Sequence, residues 1–151
     1  MTTIEKLNLL LSQLEYKYAH MTNSKLENNL RTNNLEQIHL LYNKLEIFEK
    51  HTNFNTLFEY KAMNLSGIVL KSENFGQIHK GKYIQIISIA YEPNSQGKCI
   101  SKNVSLGYYG KAEKILPQLK KEIIEFVLRW RYEKSFQQND HYEELLSKLH
   151  S

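Results

Sequence analysis

The chain has 151 residues, of which 41% are hydrophobic and 24% charged, with a net charge of +4. That is an ordinary composition for one folded domain and argues against disorder. No apolar run approaches the roughly 18 residues that span a bilayer. The opening MTTIEKLNLLLSQLEYK lacks signal-peptide features, because Glu5 comes early, Asn8 and Ser12 interrupt the apolar run, and no small-residue cleavage site follows. A cytoplasmic protein is the expectation. The lone Cys99 excludes an internal disulfide and a cysteine-type zinc site. Lysine outnumbers arginine 17 to 3, a bias of A/T-rich coding found in some bacteria and their mobile elements.

Charge is uneven along the chain. Residues 1–51 are neutral overall, residues 52–110 carry +3, and residues 111–151 carry +1. A local basic excess attracts phosphates, and a solvated lysine-rich surface is the plainer alternative.

In chain order, Thr3–His20 reads as a helix, opened by a Thr2/Glu5 capping box and striped by Leu7, Leu10, Leu11, Leu14 and Tyr18. Met21–Ser24 reads as a break, with Ser24 and Glu27 capping a short helix through Leu26 and Leu30. Arg31–Asn34 reads as a second break, because asparagine favours turns. Leu35–Lys50 is a third amphipathic stretch, either separate from the second or continuous with it, striped by Leu35, Ile38, Leu41, Tyr42, Leu45 and Phe48. Leu9 and Tyr16 on the first helix, and Leu40 and Ile47 on the third, face away from the main stripes. A second stripe needs a second partner, either within the chain or in another protein or second copy.

Beyond the polar loop His51–Asn55 the period becomes extended. Leu57–Tyr60 fits either a strand or a helical turn. Ser66–Ser72 reads as a strand, Glu73–Lys82 as a loop, and Tyr83–Tyr91 as the clearest strand of the chain. Glu92–Lys98 is a turn, and Cys99–Gly107 returns with Ile100, Val104 and Leu106 on one face and Cys99, Ser101, Asn103 and Ser105 on the other. Pro117 fits the first turn of a long helix to Lys134, striped by Leu119, Ile123, Phe126 and Trp130. Asn139 is placed to cap a last helix, Asp140–His150, with Tyr142, Leu145, Leu146 and Leu149 inward. Helices, three antiparallel strands and helices make a single α+β domain over 1–151, helical over 1–51, sheet over 52–110 and helical over 111–151.

No catalytic or cofactor motif appears. The six histidines lack metal-site spacing, the single Asp140 does not support a metal or phosphoryl-transfer centre, and the glycines form no phosphate loop. Cys99 with a distant histidine is the one nucleophile pairing on offer, and no orienting group accompanies it. The expectation is a binding protein without cofactor or metal. The sheet and its loops carry Lys71, Lys80, Lys82, Lys98 and Lys102 for phosphates, with Gln85, Ser101 and Asn103 for base edges. If those lysines meet DNA, changing Lys80, Lys82 and Lys102 to Glu abolishes binding.

The run from Leu70–Ser72 through KYIQIISIAYEPNSQGK and NVSLGYYGKAEKI, with Ser105-Leu106-Gly107 ahead of Ala112-Glu113, resembles a known module. It is similar to the three-stranded-sheet-plus-helix DNA-binding domains of plant ethylene-response factors and of integrase arm-binding domains. The resemblance covers about residues 66–130 and implies DNA binding by the sheet. Those domains use arginine and tryptophan on their strands, and the strands here carry neither. The alternative is a protein-interaction module using Leu9, Tyr16, Leu40 and Ile47, as a homodimer or with another protein.

Overall fold

A computed structural model describes the backbone of residues 2–150 and the side chains of 2–15 and 25–150. The fold is α+β, with helix, a three-stranded antiparallel sheet and a long C-terminal helix. Among the described residues no helix is long and apolar enough to cross a membrane. The chain, expected as one domain, separates into two compact units, Met1–Asn33 and Asn34–Ser151.

Helix α1 runs unbroken over Thr3–Lys44. Its start is the capping box read from the sequence: the Glu5 amide donates to Thr2 Oγ1 at 3.2 Å and the Thr2 amide to Glu5 Oε2 at 3.0 Å. The two expected breaks are helical instead. The helix contains neither glycine nor proline, and asparagine costs only about 0.7 kcal/mol at an interior position. Asn34 also has a task inside the helix. It is buried, its amide donates to Arg129 O at 3.0 Å, and its Oδ1 accepts from Arg129 Nη1 at 3.0 Å. A residue that reads as a turn former is a polar clamp between helices.

α1 stops short of Lys50. Glu46 takes a left-handed conformation with φ 58°, and Ile47–Glu49 forms a 3₁₀ turn. That reversal swings Ile47 into the core, where it is fully buried, so its assignment to a partner interface is corrected. His51 then fixes the next corner, with Nδ1 3.0 Å from Tyr60 Oη and Nε2 2.8 Å from Thr56 Oγ1. Phe54–Glu59 is a 3₁₀ helix, capped by Asn53 accepting from the Asn55 amide at 3.0 Å.

The first strand, β1, is Ala62–Ser66 rather than Ser66–Ser72. Gly67, with φ 89°, turns the chain out of the sheet, and Ile68 makes only an isolated bridge to Ile78. β2 is Tyr83–Pro93 and β3 is Cys99–Lys111, in the order β1-β2-β3, all antiparallel. Asn94 closes their turn, its Oδ1 accepting from the amides of Gln96 and Lys98 at 2.9 Å each. β3 runs four residues past the expected Gly107, with the register shifting along β2 between Tyr83 and Gln85 and between Ile86 and Ile87.

Helix α2 runs over Pro117–Lys148, with Pro117 in its first turn. Ile123, Phe126, Val127 and Trp130 are buried against Met63, Ile84, Ile86 and Leu106 of the sheet, and Ile38, Leu41 and Tyr42 of α1 complete the core. The expected separate last helix is a continuation of α2: Asn139 lies within it and caps nothing. Tyr142, Leu145, Leu146 and Leu149 are exposed, not inward.

Candidate nucleic-acid interface

Period-two alternation sorts the sheet into two faces. Met63, Ile84, Ile86, Ser88 and Leu106 point to the core and are buried. The opposite face is set by register: Asn64 stands beside Ile87 and Ser66 beside Gln85, while Ile87 faces Ser105, Ile89 faces Asn103 and Tyr91 faces Ser101. Asn64, Ser101 and Asn103 are exposed, and Gln85, Ile87, Ile89 and Ser105 are half-buried. Ile87 and Ile89 do not belong to the core of buried residues or to the partly buried side chains packed on it. Within the 34–151 unit this face is open.

Three tyrosines mark the two ends of the open face. Tyr83 and Tyr108 lie with ring centroids 5.7 Å apart at one end, and Tyr91 stands at the other, with Lys61 Nζ 5.4 Å above its ring. Tyr91 lies eight steps along the strand from Tyr83, about 26 Å at 3.3 Å per step. Between them Gln85 Nε2 donates to Ser105 Oγ at 2.7 Å. Lys111 stands opposite Tyr83 in the register. None of the strand residues on this face is acidic. The neighbouring Tyr109 takes the other side, donating to Leu45 O at 3.2 Å, and burial, followed by the Glu46 charge, pushes its phenol far above its ordinary value. Glu113 borders the Tyr83 end. It accepts from the Gly81 amide at 3.3 Å, and hydrogen bonds from its own and the Gly81 amide hold it below the ordinary carboxylate range.

The residues expected at the interface divide. Gln85, Ser101 and Asn103 share the open face. Lys102 is on the opposite side of β3 and pairs with Glu92 at 3.6 Å. Lys71, Lys80 and Lys82 belong to the loop between β1 and β2, and Lys98 to the β2–β3 turn. Lys61, Lys111 and the three tyrosines were missed. Strand alternation places Tyr83 and Tyr91 on one side, and placing β1 four residues earlier brings Lys61 to its start. Of the alternative partner residues, Leu9 and Leu40 are exposed and Tyr16 lies outside the described side chains.

Cys99 is exposed at the start of β3. His39 stacks on Phe54 with centroids 4.3 Å apart, and both nitrogens of His51 are engaged as described above. Among the described residues no group of three or more His, Cys, Asp or Glu side chains is placed to hold a metal ion. Comparison with family models, with curated proteins and with solved structures gives no match for this chain.

Proposed function

We propose that this chain is a DNA-binding accessory protein without catalytic activity of its own, taking DNA on the open face of its sheet. The observation that carries the reading is that face: uncovered within its unit, without an acidic strand residue, and furnished with three tyrosines among amides and hydroxyls. Aromatic faces stack unpaired bases, amides and hydroxyls reach base edges, and flanking Lys61 and Lys111 meet phosphates. The lysine- and asparagine-rich composition fits an A/T-rich source such as a bacterial mobile element.

Fluorescence anisotropy with single- and double-stranded DNA at two salt concentrations tests this. The expected result is micromolar or tighter binding that weakens with salt. Tyr91→Ala with Tyr108→Ala lowers affinity at least tenfold, since each stacked base contributes about 1–3 kcal/mol. Absence of binding at low salt, or an unchanged affinity in that variant, contradicts the reading.

A second reading, a protein-interaction module, is favoured by α1. Ile4, Leu7, Leu11 and Leu14 recur at steps of three, four and three, and each is more than half exposed. That spacing is the seam of a helix-pairing surface. Leu7→Glu with Leu14→Glu is expected to lower the mass measured by light scattering while the melting of the 34–151 unit stays unchanged. An unaltered mass removes this reading.

A further inference from the structure

We propose that the cleft between β1 and α2 holds a backbone phosphate of the DNA strand lying on the open face. This rests on the DNA-binding reading and adds a site to it. The cleft measures about 670 Å³ and is lined by Lys61, Asn64, Trp130, Arg131 and Lys134 among others. Among the described residues three cationic side chains line the cleft and no carboxylate does. Arg131 Nε and Nη2 donate to Met63 O at 3.1 and 2.9 Å, and Nη2 lies 3.4 Å from Asn64 Oδ1. Lys134 Nζ donates to Phe58 O at 2.8 Å and sits 5.6 Å from the Trp130 ring centroid. Carbonyls and an aromatic ring orient these cations but cancel none of their charge. Burial, and then the charge of Lys61, hold the Lys134 ammonium below its ordinary value. Like charges gathered beside a hydrophobic wall, with their donors fixed by backbone, are an arrangement that an anion relieves.

The anion's carrier follows from position. Lys61 and Asn64 belong to both places: Lys61 lines the cleft and covers the Tyr91 ring, and Asn64 lines the cleft and lies on the open face. A strand with one base on Tyr91 passes beside Lys61, which also lines the cleft, and so brings a neighbouring phosphate to it.

The test is an anisotropy titration of a single-stranded oligonucleotide against the wild type, Lys61→Gln, and Lys61→Gln with Lys134→Gln, at several salt concentrations. Lys61 is exposed, so the single variant reports binding rather than folding. The double variant is expected to bind about tenfold more weakly, with a log–log salt slope shallower by about one. Unchanged affinity and slope overturn the cleft assignment and with it the phosphate contact of Lys61, and the face reading then rests on the Tyr91→Ala with Tyr108→Ala variant alone. If the wild type binds no DNA, that reading falls, and inorganic pyrophosphate then decides: a rise in the wild-type melting temperature that the double variant lacks retains an anion site, and no rise overturns it.

Discussion

Trp130→Ala is expected to destabilise the 34–151 unit by about 4 kcal/mol, the range of large aromatic deletions from a core. Trp130 is almost fully buried, its ring lies parallel to Phe58 with centroids 6.4 Å apart, and its Nε1 donates to Leu57 O at 3.1 Å. Alanine loses the apolar contacts, leaves a cavity between α2 and the 3₁₀ helix at Phe54–Glu59, and leaves a buried carbonyl without its donor. A domain stable by about 5–15 kcal/mol loses much of its margin. Trp130→Phe separates the contributions, because it keeps most of the ring and still strands Leu57 O, at a cost of about 1–3 kcal/mol. Urea midpoints of the three proteins check this. Equal stability of the alanine variant and the wild type would mean that α2 is not seated on this ring.

The second large effect belongs to a residue without a side chain. Gly67 has φ 89°, and a Cβ there would lie 2.8 Å from Tyr83 O and 3.1 Å from Ile84 Cα. Both are backbone atoms of β2 and cannot rotate away. Gly67→Ala therefore combines left-handed strain with a clash that separates the end of β1 from β2, at about 2–3 kcal/mol. Gly81 and Gly97 also have positive φ, but a Cβ at either meets nothing within 4 Å. Alanine at those positions costs about 1 kcal/mol from backbone strain alone. Thermal melts of the three variants should show this order, and a Gly67→Ala variant no worse than Gly81→Ala would remove the close approach.

Elements whose pattern and packing agree were legible in the sequence. The stripe Ile123, Phe126 and Trp130 is buried as its spacing requires, Pro117 sits in the first helical turn, and β2 and its turn lie where β-branched residues and Asn94 place them. Local rules fell short where tertiary context wins. Asn33 and Asn34 read as a break, yet Asn34 is held in α1 by Arg129, a partner 95 residues away. Ile47 followed the helical period onto an outer stripe, but the left-handed Glu46 ends that period and turns it inward. β1 was misplaced because Ile68, Val69 and Leu70 read as a strand core, whereas the paired strand is the less apolar Ala62–Ser66. Pairing with β2 decides, and pairing is a long-range property. The same four-residue shift hid Lys61 from the site. Lysine counts singled out residues 52–110, whereas the cleft gathers Lys61 with Arg131 and Lys134 of α2, because periodicity does not tell which charges a fold brings together.

The open face is tested most directly by backbone amide chemical-shift mapping with a single-stranded oligonucleotide. Perturbations are expected to cluster on Asn64, Gln85, Ile87, Ile89, Asn103 and Ser105, with Tyr91 and Tyr108 at the two ends. Perturbations confined to the exposed leucines of α1, or none at saturating DNA, would contradict it.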